Sequence, residues 1–225
     1  MKVDIIIPEG LFDITLEQYQ KFLQVNSEDE LFLAQKCVEI FCNVPLIIVS
    51  KMSYKDVKNY ATRIMSFFED KPQLRKIHTM GDVEYGFIPN LEEISLGEYV
   101  DIDESINDWE KMHTTMAVLY RPIKSRRKDK YNIEEYEGTS DSEHRMKGLT
   151  MDVVLGALFF FYHLGIELSI ALTPSLMQLE ENTTSVQPQT SEESGDGTPL
   201  SIISLRAMLQ DLKKLANSDF LPHLL

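Results

Sequence analysis

The side chains best suited to chemistry are two cysteines, a histidine on an apolar stripe, and one dense run of arginines and lysines. Cys37 and Cys42 lie five residues apart in a segment predicted to be helical, so they point away from each other by more than a quarter turn. That spacing disfavours a disulfide, and no histidine lies nearby in sequence to complete a metal site. Buried free thiols in a reducing compartment are expected. His113 shares one side of a predicted helix, 105–121, with Ile106, Trp109, Met112, Met116 and Tyr120. A histidine in that position is expected to be a hydrogen-bonded border residue rather than a ligand or a base. There is no Cys-x-x-Cys, no histidine pair at i, i+4, no glycine-rich phosphate loop and no Gly-x-Ser-x-Gly elbow. The acids are scattered through turns and helix starts, where helix electrostatics accounts for them. The expectation is a protein without enzymatic activity: no catalytic residue, no cofactor, no metal. An Asp/Glu pair assembled in three dimensions stays open.

The basic run is different in kind. Residues 121–130 hold six basic residues and one acid, and Tyr131 to Gly138 follow with three glutamates. One reading is a solvated hairpin whose basic and acidic arms offset each other. The other is a docking arm for an acidic partner, with Arg126, Arg127 and Lys128 as partner contacts. Elsewhere the chain is acidic, with a formal net charge of −14 over 225 residues and a pI near 4.8. That argues against nucleic acid as the main partner and fits solubility or a basic partner.

The elements that would carry these residues follow a pattern that occurs twice. Ile7-Pro8 leads through a short acidic turn to Ile14-Thr15-Leu16 and Tyr19; Ile88-Pro89 leads likewise to Ile94-Ser95-Leu96 and Tyr99. Proline holds its predecessor extended. Thr15 with Gln18 and Ser95 with Glu98 have capping-box spacing. Further on, Met52-Ser53 and Leu149-Thr150 each place a hydroxyl cap before a helix with an aspartate in its first turn. The fold expected is mainly α with a minor β component, built from two related strand–helix–helix–helix halves sharing one core, plus a tethered C-terminal helix. Chance likeness is the competing account of the repeat.

The corresponding divisions are 1–78 for the first helical repeat and 79–179 for the second, with 121–148 as an insertion. Residues 180–199 form a flexible linker, and 200–225 an amphipathic helix. Within the first repeat, a strand is expected at 3–8, helices at 15–25, 29–43 and 53–69, and a strand or extended connection at Leu46–Val49. The 29–43 helix is apolar almost all round and should be central. In the second repeat, a strand is expected at 83–88, a helix at 95–100 followed by an acidic turn at 101–104, and the 105–121 helix. Tyr131, Ile133 and Tyr136 hint at a further short strand.

Residues 150–172 are the most apolar segment, but Asp152, His163 and Glu167 bracket or interrupt it, which favours a buried helix over a membrane span. Gly156 is expected to admit a neighbouring helix. The first residues lack a signal-peptide core, so an intracellular protein is expected. Between Glu180 and Pro199 a Ser/Thr/Gln/Glu tract has too few apolar residues to bury anything. Beyond it Leu205, Met208, Leu209, Leu212 and Leu215 form one stripe, which would bind its own body or another polypeptide.

The runs Ile88–Tyr99, Met116–Ile123, Tyr131–Tyr136 and Met151–Leu158 resemble small proteins from the structural and tail-assembly region of tailed bacteriophages. The resemblance covers about residues 83–165. It implies a tail assembly chaperone that keeps a long tail protein in solution, or else a minor virion component at the portal–tail junction or packaged as cargo. The implied partners are a protein client or a virion structural protein, with self-association open, and the implied place is the host cytoplasm or the virion. A nucleic-acid or membrane-associated factor acting through Arg126, Arg127, Lys128 and the apolar helix is the reading from a third class.

Overall fold

The computed structural model describes residues 5–128, 130–140 and 142–164. The linker and the stripe from Leu205 to Leu215 lie outside the described residues. Residues up to Phe159 belong to one compact unit, which is the body described below.

The body is mainly helical with one small sheet. Its chain begins extended and turns through a 3-10 segment, Leu11–Asp13. Helices α1 (Leu16–Leu23), α2 (Glu30–Phe41), α3 (Leu46–Val49) and α4 (Tyr54–Ser66) follow. Strands β1 (Ile77–Met80) and β2 (Val83–Phe87) form a hairpin. A 3-10 turn at Phe67–Glu69 follows α4, and a third, Leu91–Glu93, leads to α5 (Leu96–Ser105) and α6 (Met112–Leu119). Then come β3 (Tyr120–Arg127), β4 (Lys130–Ile133), α7 (Glu143–Met146) and α8 (residues 151–164). The four strands form one antiparallel sheet in chain order.

Both capping boxes are formed. The Thr15 and Ser95 side chains each accept from a backbone N–H three residues on, and Gln18 and Glu98 reach back to the cap N–H groups. Each box satisfies two N–H groups that a helix start would otherwise leave unpaired. Ser53 caps α4 by the same logic. The order of elements also recurs: 3-10 turn, capped helix, helix, four-residue helix, four-residue connection, helix. In the second pass β3 and β4 are inserted before the four-residue helix. The packing order recurs with it, α2 on α1, α3 and α4, and α6 on α5 and α7.

Aromatic rings tie the two passes together. Tyr19 of α1 stacks on Phe68 at 5.1 Å and meets Trp109 edge-on at 4.8 Å, while Phe41 of α2 lies between Phe22 and Phe68. The start of α1 is also stitched to the start of α8. Thr15 pairs with Thr150 in an antiparallel bridge: Leu16 donates to the Leu149 carbonyl at 2.8 Å and Met151 to that of Ile14 at 2.8 Å. Leu16, Met146, Leu149 and Met151 are fully buried around it, each contributing on the order of 2 kcal/mol of apolar burial.

Several elements differ from their sequence-based expectation. Residues 5–8 form no strand; Ile6 is exposed, and among the described residues no strand pairs with them. Leu46–Val49 is a helical turn, because Pro45 starts it and its carbonyl accepts from Ile48 and Val49. The β-branched side chains there suggested an extended chain, and local hydrogen bonding overrides them. The acids at 101–104 belong to α5 instead of a turn, and the 105–121 helix is split. Residues between α5 and α6 form turns in which the Asp108 side chain takes the Glu110 N–H, a local bond that competes with helix. The α2 helix is central at Ala34, Cys37, Val38 and Phe41, but Leu31 and Phe32 near its start are exposed. Gly156 lies in the buried part of α8, as expected, but what approaches it is the backbone of Gln73 rather than a helix. A Cβ there would lie 2.6 Å from the Gln73 carbonyl oxygen.

Candidate interaction surface

The basic run folds as β3, the β3–β4 turn and the start of β4. The sheet pairs β3 with β2 only through Tyr120, Arg121 and Pro122; beyond them β3 pairs with β4 alone, as a two-stranded ribbon whose β4 residues Tyr131 and Ile133 lie over Gly86 of β2. Lys124, Arg126, Arg127, Lys128 and Lys130 are all exposed. Between Ile123 and Ser125 the register slips, making Lys124 the extra residue of a bulge. A bulge increases the local twist and re-aims the strand beyond it. Lys128, with φ +56°, opens the turn in the left-handed region.

The register divides the cations between two faces, since residues directly opposite share a face. Arg126 lies opposite Tyr131. On that face the Arg126 guanidinium reaches Glu84 at 3.3 Å, and the Tyr131 hydroxyl donates to the carbonyls of Phe87 and Lys76. Tyr131 lies over Gly86, where an added Cβ would come within 2.4 Å of its ring. Arg127 lies opposite Lys130. Two cations facing each other across a ladder destabilise it, and among the described residues no acid forms an ion pair with either. Lys76 and Lys130 flank a cleft of about 390 Å³ that also contacts Ile88, Pro89, Tyr131 and Asn132.

The root of the ribbon is held by buried charge. Arg121 donates to Glu98 at 2.5 Å, with both side chains mostly buried, and its guanidinium lies 5.7 Å from the centre of the Tyr136 ring. Tyr136 in turn donates to Asp101 on α5. Burial alone would raise the Glu98 carboxyl, but the Ser95 cap and Arg121 together hold it below the usual carboxylate range. Burial, the hydrogen bond to Asp101 and the nearby carboxylates push the Tyr136 phenol well above its ordinary value. The glutamates expected to offset the basic arm, Glu134, Glu135 and Glu137, follow β4; the Glu134 N–H donates to the Pro122 carbonyl at 2.9 Å, but none of the three forms an ion pair with the arm among the described residues.

The other candidate groups have structural partners. Cys37 and Cys42 are buried free thiols; burial raises both, Cys42 to about 11. They are therefore protonated and poorly nucleophilic. His113 accepts from the Gln20 side chain at 3.2 Å, and burial followed by Lys147 lowers its affinity for a proton. Asp152 accepts from Arg75 at 2.8 Å and from Thr150, which fixes the start of α8. Among the described residues no group of three His, Cys, Asp or Glu side chains could hold a metal ion, and no helix is long and apolar enough to cross a membrane. A wider cleft of about 600 Å³ lies between α1 and α2, where Lys21 and Lys36 are engaged by Glu17 and Glu39.

Of the residues singled out by sequence, the structure brings Arg126, Arg127 and Lys128 together on the ribbon; Leu205, Met208, Leu209, Leu212 and Leu215 lie outside the described residues. Sequence reasoning missed Lys130 as the partner of Arg127, and Arg121, Glu98 and Tyr136 as the anchor. The alternation of basic residues on either side of a two-residue turn was a signal for the first. Nothing local signals the second. Comparison with protein-family models, with curated proteins and with solved structures finds no match.

Proposed function

We propose that this protein is a non-enzymatic binding protein that grips another polypeptide through the β3–β4 ribbon. The observation that carries the reading is the segregation of charge. Residues 121–130 are net basic in a chain whose net charge is −14. Arg127 and Lys130 face each other on that ribbon, and neither forms an ion pair with an acid among the described residues. Folding alone gains nothing from such an arrangement, whereas an acidic partner segment laid along that face would turn repulsion into attraction and speed encounter.

The phage resemblance supplies the setting: a tail assembly chaperone holding a long tail protein. Acting in the host cytoplasm, it would present the ribbon to an acidic stretch of that client. The alternative, a minor subunit that stays in the particle, uses the same surface. The doubled body belongs to this proposal too, and the recurring order of elements supports it.

Co-expression with candidate tail proteins tests the function. A client that is soluble only in company with the protein, and returns to the insoluble fraction when Arg127 and Lys130 are both changed to Glu, is the expected result. Solubility unaffected by the double change would remove the ribbon from the reading. Stoichiometric amounts of the protein in purified virions would favour the structural subunit.

A further inference from the structure

The Thr15–Thr150 bridge has a counterpart that the chain leaves open. In the recurring element order Thr15 corresponds to Ser95, and Thr150 to Ser53. Each of the four is the residue just before a helix, and Ser53 and Thr150 each follow a four-residue helix by the same four-residue connection. Thr15 and Thr150 pair within the chain. No backbone bond joins Ser95 to Ser53, or their flanking residues, among the described residues.

Burial follows the same division. Leu16 and Met151, which flank the closed bridge, are both 0% exposed, whereas their counterparts Leu96 and Tyr54 are 78% and 62% exposed. Exposed apolar side chains are ordinary when scattered singly. Here they are the counterparts of side chains that form a core contact.

The charges match as well. Around the open Ser53 turn Lys51, Lys55 and Lys58 are exposed, and the one acid among them, Asp56, is engaged by the Ser53 hydroxyl at 2.6 Å. At the open start of α5 the exposed acid is Glu93, two residues before Ser95. Around the closed bridge Glu9, Asp13 and Glu17 lie on the Thr15 side, while the Thr150 side is mixed, with Glu143 and Asp152 beside Arg145 and Lys147.

From this we infer that a second copy of the chain fills the gap: the start of α5 in one copy docks on the basic α3–α4 turn of another, repeating between chains the bridge that Thr15 and Thr150 make within one. The Leu96 N–H donates to the Met52 carbonyl of the other copy, and the Tyr54 N–H to the Ile94 carbonyl. The two surfaces are unlike, so copies add head to tail and the set closes only if the rotation between them allows a ring. The contact rests on the doubled body proposed above. It is read by mass and cross-linking whereas client binding is read by solubility, so either can fail alone.

The test mixes two full-length single variants, Ser53→Cys and Ser95→Cys, under mild oxidation. Residues opposed across such a non-hydrogen-bonded bridge have Cα atoms about 4.5 Å apart, within disulfide reach, and the native thiols are buried. The expected result is a disulfide-linked pair of chains forming at least tenfold faster than when Ser53→Cys is mixed with Val83→Cys, an exposed position on β2. Sedimentation of the unaltered chain should show mass rising with concentration, and Leu96→Asp should weaken that association at least tenfold while leaving the circular dichroism spectrum unchanged. A chain that stays monomeric at high concentration, or cross-linking no faster than the control, would overturn the inference.

Discussion

Arg121 on β3 and Glu98 on α5 are joined by a 2.5 Å ion pair in which neither side chain is more than 13% exposed. The pair fastens the root of the basic ribbon to the helix that Ser95 caps. It also makes the ribbon's orientation depend on a charge that folding has removed from water.

Replacing Arg121 by Ala should therefore cost about 3 kcal/mol, because it leaves the Glu98 carboxylate buried without its cation. The drop will be visible as a lower urea midpoint. Replacing Lys128 by Ala, on the exposed turn, should change the midpoint by less than about 0.5 kcal/mol.

The same pair predicts acid sensitivity of a definite sign. The folded Glu98 carboxyl sits below its ordinary value of 4.5, so on acidification the unfolded chain takes up this proton first. The stabilisation is complete above about pH 4.5 and is lost as pH falls through the folded value. Urea midpoints measured from pH 7 down to pH 3 should decline more steeply in the native chain than in Glu98→Gln.

Gly156→Ala offers a reversal of the usual rule. In a helix interior this change normally gains about 1 kcal/mol. In α8 the new methyl would lie 2.6 Å from the Gln73 carbonyl oxygen and 3.1 Å from its carbon, so the backbone at 73–74 must shift. A net loss of about 1–3 kcal/mol is expected, read as a lower thermal midpoint.

The two capping boxes should be separable from their surroundings. Thr15→Ala and Ser95→Ala should each cost about 1 kcal/mol, even though Leu16 beside the first is buried and Leu96 beside the second is exposed. Similar losses in denaturant titrations would show that the cap, not the neighbouring apolar contact, sets the cost.

Those boxes were readable in the sequence because every participant lies within three residues. The amphipathic α4 was readable for the same reason. Where short-range hydrogen bonds compete with the apolar pattern, the sequence pattern misled. Leu46 to Val49 looks like a strand until Pro45 is seen to start a turn. The stretch from Ile106 to Lys111 keeps helical periodicity while Asp108 breaks the helix. The β1 strand carries two polar residues in four, His78 and Thr79, and shows no alternation of core positions. The ribbon was visible as charge. Its anchor was not, since Arg121 and Glu98 are separated by a helix and a turn, and no periodicity connects them.

The bridge between Thr15 and Thr150 has a consequence for biogenesis. A chain growing from the ribosome completes α1 through α4 long before residue 150 exists, and their shared core stays unsealed until the last body helix arrives. Such long-range closure slows folding and lengthens the time during which apolar faces are unprotected. The nascent first half is thus the stage at which this protein is most exposed to aggregation and most in need of help from the cell.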